Sequence, residues 1–107
     1  MDEQERALRA YVNTLVLAAL ENGALHMAGI LSALRRRSGD RFRFADTTVY
    51  PALHRMEHFG LITEGWVMVD GRARRGYELT AAGRERLAGD RYKWREFGTL
   101  IAAMLDL

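Results

Sequence analysis

Two groups of side chains in this 107-residue sequence have the types and spacing to do chemistry. The first is His54-Arg-Met-Glu57-His58, an H-x-x-E-H pattern that sets two imidazoles one helical turn apart, as one class of zinc hydrolases does. Two histidines leave a zinc site short of a third ligand, and that class needs a much larger catalytic fold. Glu57 is therefore expected to make a structural contact or to cap nearby amides. No phosphate-cradling glycine loop, nucleophile elbow or serine triad signature is present, so no catalytic residue, metal or cofactor is expected.

The second group surrounds the same residues. Thr47, Thr48, Tyr50, Pro51, His54 and Arg55 carry hydroxyls, an imidazole and a guanidinium, without a carboxylate among them. A polar face free of acid suits a polyanion. Arg72, Arg74 and Arg75 follow in the stretch Gly71-Arg-Ala-Arg-Arg75, whose basicity packing does not require.

These side chains need a helix to present them. Asp46 or Thr47 can cap its start, since either side-chain oxygen accepts from first-turn amides. Pro51 fits near that start, because deeper in it would cost a backbone bond. Val49, Leu53 and Met56 recur at i, i+4, i+7 and predict a buried stripe. Gly60 ends the helix in a left-handed cap, with Leu61 folding back.

Residues 4–22 read as a preceding helix. Its stripe is Leu8, Val12, Leu15 and Ala19, with Tyr11, Leu17 and Ala18 on a second apolar side. Residues 26–37 read as the next, with Met27, Ile30, Leu31 and Leu34 inward and Arg35, Arg36 and Arg37 at the C-terminal end, where cations complement the helix dipole. Ser38-Gly39-Asp40 is a turn. Phe42 and Phe44 in the link 41–45 are expected in the core. Residues 61–69 and 76–80 read as two strands joined across an arginine tip. Thr80 caps a last helix, in which Leu87, Trp94, Phe97, Ile101 and Met104 recur at about heptad spacing. Such a helix is too long to fold wholly onto so small a core, and a second copy would cover its stripe.

Composition agrees. Hydrophobic content of 49% and charged content of 28% are those of a globular chain. No apolar run approaches the roughly 18 residues that cross a bilayer. The acidic start Met1-Asp-Glu-Gln-Glu is not expected to be a signal peptide. The absence of cysteine excludes disulfides and thiolate metal sites and fits a cytoplasmic location. Net charge is only +2, but residues 35–75 hold nine arginines against five acids. The basic middle points to nucleic acid.

Helix, helix, helix and hairpin in this order describe a helix-turn-helix with a β wing, whose third helix enters the major groove. Thr47, Thr48, Tyr50 and His54 would face base edges. Arg55 and the wing arginines would hold phosphates or the adjoining minor groove.

The run Thr48-Val-Tyr-Pro-Ala-Leu-His-Arg-Met-Glu-His-Phe-Gly-Leu-Ile62, then Trp66, then Arg74-Arg-Gly-Tyr-Glu-Leu-Thr-Ala-Ala-Gly83, resembles the PadR family of winged-helix transcription regulators. Gly23-Ala-Leu-His26 resembles the family's G-x-L-H-G. Thr47 and Met27 depart from the glycines usual at those positions. The resemblance implies a homodimer joined through the last helix with help from the first. It implies repression of an inverted-repeat operator on double-stranded DNA, relieved in many members by a small aromatic or cationic effector. Leu8, Leu15, Trp94, Phe97 and Ile101 are the expected effector pocket or dimer interface. The expected fold is mainly α with a small β hairpin: a winged helix-turn-helix over 1–80 and a C-terminal dimerisation helix over 81–107. The alternative is a winged-helix module that binds protein and not DNA.

Overall fold

The computed structural model describes residues 2–107. The elements run α1 (Glu3–Ala10), α2 (Val12–Ala19), β1 (Leu25–His26), α3 (Met27–Arg37), α4 (Asp46–His58), β2 (Ile62–Val69), β3 (Arg72–Leu79) and α5 (Ala81–Met104). The winged helix-turn-helix with its long final helix is therefore present. The core is built by α2, α3 and α4 with the base of the sheet. Val16, Leu20, Ile30 and Val49 are wholly buried, and Leu17, Leu53 and Met56 nearly so. The expected stripe of α4 is this buried face, widened by Ala52.

The first expected helix is two. The chain breaks at Tyr11 (φ −106°, ψ 16°), whose amide bonds to the Leu8 carbonyl three residues back. Burial explains the break. α1 has no buried residue, whereas α2 buries Val12, Val16, Leu17 and Ala19, so only α2 is held by the core. Of the expected stripe Leu8 and Leu15 are only half-buried; of the second apolar side Leu17 is buried, Ala18 half-buried and Tyr11 exposed.

Residue 26 also departs from expectation. Leu25 and His26 form a strand, paired antiparallel with Tyr77 and Gly76, which makes the sheet three-stranded in the order β1-β3-β2. The hairpin is longer and its turn tighter than expected. Asp70 (φ 52°) and Gly71 (φ 78°) form a two-residue turn of left-handed residues, the geometry that matches strand twist. Arg72, Arg74 and Arg75 consequently lie in β3 and not at a loop tip. Phe44 packs on the core, while Phe42 meets Phe44 edge-on at 4.8 Å instead of entering it.

The ends of α4 differ in how well the sequence announced them. Ala45 holds the N-cap position without a side-chain bond; neither Asp46 nor Thr47 caps. The Ala45 carbonyl accepts from Thr48 and Val49, and Asp46 instead places its charge in the first turn, where the helix dipole favours it. Pro51 is the sixth helical residue, so the Thr47 carbonyl lacks the amide that would normally bond to it. At the far end Gly60 (φ 73°) donates to Glu57 and Leu61 donates to Met56 at 2.9 Å, the paired bonds of a Schellman cap.

α5 starts where Thr80 Oγ1 accepts from the Gly83 amide at 3.0 Å and donates to the Gly60 carbonyl at 2.6 Å. Its root is fastened by Glu21. Arg91 meets that carboxylate with two bonds of 2.8 Å, and Arg37 from α3 adds one of 3.2 Å. The Arg91 bonds, opposed by partial burial and aided by Arg37, lower the Glu21 pKa to about 2. A carboxyl held below its ordinary value stabilises the fold above that value and loses this contribution on acidification. Stability should therefore fall as pH drops from about 4.5 towards 2, and Glu21→Gln should flatten that limb. Urea midpoints measured across this range check it; equal slopes in both proteins would contradict it.

Candidate nucleic-acid interface

The outward side of α4 is a stripe of Thr47, Tyr50, Pro51 and His54, all exposed. Their spacing of three and four residues places them along one line of the helix. Tyr50 and His54 pack edge-on, with ring centroids 4.5 Å apart. Asp46 is exposed at the N-terminal end of the stripe. His58 meets Phe59 at 5.6 Å. Among the described residues no three His, Cys, Asp or Glu side chains gather as metal ligands would.

Thr48 and Arg55 stand apart from this stripe. They share a flank with Ala52 and meet the corner between α1 and α2. Arg9 donates to Thr48 Oγ1 through Nη2 at 2.6 Å and Nε at 3.3 Å. Arg55 Nη2 donates to Asn13 Oδ1 at 3.1 Å. Thr48 is half-buried there, while Arg55 remains exposed. Arg9 and Asn13 were not legible as functional residues in the sequence. An arginine on the polar side of a helix read as unbroken carries no signal of its own.

Strand alternation divides the wing arginines. Arg72 pairs with Val69 and Arg74 with Val67, all on the outer face of the ribbon. Arg75 is on the other face, opposite Trp66. Its guanidinium sits 5.0 Å from the Trp66 ring centroid and bridges Glu64 at 3.0 Å. Two wing arginines thus project outward, and the third is engaged along the ribbon. Gly76 lets the strands close: a Cβ there would sit 2.6 Å from a Val67 methyl.

A groove of about 680 Å³ runs between α5 and the α1–α2 side. Leu8, Leu15, Trp94 and Phe97 line it, as does Tyr11, whose ring meets Trp94 edge-on at 4.9 Å. Ile101 does not line it; it lies beyond the groove, 39% exposed. Asp90 accepts from Thr14 at 2.7 Å and from Arg86 at 3.1 Å on the groove's polar edge. Trp94, Phe97, Leu100, Met104 and Leu105 are each more than half exposed. No helix among the described residues is long and apolar enough to cross a membrane.

The sequence pattern of the Transcriptional regulator PadR-like family matches residues 16–89. A transcriptional regulator from Mycobacterium tuberculosis is 40% identical over 83 residues, which is 78% of this chain and 75% of the relative. A PadR family transcription regulator from Clostridium difficile has a similar solved structure, with a TM-score of 0.76 and 28% identity over 89% of this chain and 98% of its own. Bacillus subtilis PadR, solved in complex with operator DNA, gives a TM-score of 0.61 at 23% identity, over 72% of this chain and 44% of that one.

Proposed function

This chain belongs to the PadR-like family of transcriptional regulators, and we propose that it is a homodimeric repressor whose α4 and wing bind an inverted-repeat operator. The observation that carries this reading is the stripe Thr47, Tyr50, Pro51 and His54. It is exposed, carries no carboxylate from Thr47 to His54, and has Asp46 only at its N-terminal end; the outward guanidinium groups of Arg72 and Arg74 are on the same molecule. The hydroxyls and imidazole are groups that meet base edges, and the arginines are groups that meet phosphates. The operator complex of Bacillus subtilis PadR, a member with the same fold, supports the assignment. In this reading residues 1–80 are the DNA-binding unit, residues 81–107 join the copies, and the protein works in the cytoplasm. The test is fluorescence anisotropy with a duplex from the promoter of its own gene. Saturable binding that weakens steeply with salt is expected; no binding at low salt would leave the protein-interaction module as the better account.

Dimerisation rests on the apolar row of α5. Trp94, Phe97, Leu100, Ile101, Met104 and Leu105 are too many large exposed side chains for a lone surface helix. A second copy that covers them against α1 would also fix the distance between the two α4 helices. Ile101→Asp should convert the dimer to a monomer in sedimentation equilibrium and weaken operator binding at least tenfold, because each half-site is then bound alone. A dimer that survives the substitution would contradict this interface.

The groove adds a regulatory reading. Its volume is in the range of small-molecule sites, its floor is aromatic, and Arg91, Lys93 and Arg95 lie along its edge. A planar aromatic compound stacked on Trp94 would favour the dimer geometry that leaves room for it. If that geometry spaces the α4 helices wrongly for one duplex, binding releases the operator.

A further inference from the structure

We propose that Arg9 is a positioning residue for operator recognition: it makes Thr48 a hydrogen-bond donor aimed at an acceptor on a base edge. The inference rests on the DNA-binding reading above. It starts from the chemistry of one oxygen. A threonine hydroxyl has two acceptor lone pairs and one O–H. Arg9 directs two N–H groups at Thr48 Oγ1, from Nη2 at 2.6 Å and Nε at 3.3 Å. Both N–H groups come from one guanidinium and reach the oxygen from one side, so they engage one lone pair, and the cation beside it makes the oxygen a poorer acceptor and a better donor. Among the described residues that proton has no acceptor. Thr48 is the third residue of α4, in the turn that reaches base edges in helix-turn-helix complexes.

A free threonine reads bases loosely, because it can donate or accept. Thr48 held by Arg9 discriminates. It favours donating to guanine N7 or O6, adenine N7 or thymine O4 over accepting from a cytosine or adenine amino group. The neighbouring contact has the same form. Asn13, one turn after Arg9 across the α1–α2 break, holds Arg55 at 3.1 Å, seven residues after Thr48. One corner of the fold thus grips one flank of α4 at two heights.

The test is a base-substitution profile. Anisotropy is measured for a promoter duplex and for single base-pair changes across one half-site, at fixed salt. The proteins are the wild type, Thr48→Val, Thr48→Ser, Arg9→Met and the Arg9→Met/Thr48→Val double variant. Thr48→Val should lose about tenfold of discrimination at one base pair, and Thr48→Ser should keep it. Arg9→Met should lose discrimination at that same base pair, and the double variant should be no worse than Thr48→Val. Unchanged melting of Arg9→Met shows that the profile is not a folding effect. If Arg9→Met instead weakens every duplex equally and lowers the salt dependence by about one ion per contact, Arg9 is a phosphate contact and the proposal is overturned. Losses at different base pairs, or losses that multiply in the double variant, also overturn it. A wild type that binds no duplex fails earlier and removes the DNA-binding reading itself.

Discussion

Gly83→Ala should lower stability by roughly 3 kcal/mol or more and the melting temperature by about 10 °C, although it adds one methyl to a helix. The methyl would lie 2.0 Å from the Leu61 carbonyl oxygen. That oxygen cannot move aside cheaply. Leu61 is fixed at both ends of its peptide, since its amide closes the cap of α4 and its carbonyl accepts from Thr80 at 3.1 Å. The clash therefore falls on the joint that holds α5 to α4. Gly89 in the same helix provides the comparison. No atom lies within 4 Å of its added Cβ, so Gly89→Ala should stabilise by up to ~1 kcal/mol through helix propensity. Opposite signs for the two variants in thermal melts are expected. Equal effects would mean that α5 is not seated beneath Leu61.

The second large effect concerns the wing. Arg72→Ala/Arg74→Ala should weaken operator binding by about 10²-fold near 0.1 M salt and leave the melting temperature almost unchanged. Both side chains project from the outer face of the ribbon. A dimer loses four phosphate partners, so the slope of log affinity against log salt should fall by roughly four. Arg75→Ala should behave differently. Its guanidinium is already shared between Glu64 and Trp66, so the loss appears mainly in the order of the wing and less in the salt slope. Anisotropy titrations at several salt concentrations separate the two cases. A larger salt-slope change for Arg75→Ala than for the Arg72/Arg74 pair would reverse the assignment of the faces.

That division of the wing marks where the sequence stopped being readable. Asp70-Gly71 was visible as a turn, but the pairing around it was not. Three arginines in the four residues Arg72 to Arg75 have no apolar alternation and so resemble a loop; Val67 and Val69 across the ribbon supply the missing apolar partners. β1 has no sequence signal because two residues carry no period, and pairing with Tyr77 and Gly76 is what makes Leu25 and His26 a strand. The buried face of α4 was legible, since Val49, Leu53 and Met56 have helical spacing and no other role. Its exposed face was legible as a set of residues but not as a geometry. Residue type groups Thr48 and Arg55 with Thr47 and Tyr50, whereas in the fold they meet the α1–α2 corner on the adjoining flank. Long-range contacts of this kind, 39 and 42 residues apart, leave no local pattern to read.

The central claim is that the outer stripe of α4 and the outer face of the wing meet one duplex. The chain has no cysteine, so a single introduced thiol is the only site for a tethered iron chelate. Thr47→Cys and Arg74→Cys, each carrying the chelate, should both bind a promoter duplex and cleave it. Cleavage from position 47 should fall within a half-site in the major groove, and cleavage from position 74 should fall on the backbone beside the same half-site. Binding without cleavage from either position would show that the duplex is held by another surface, and the account would be wrong.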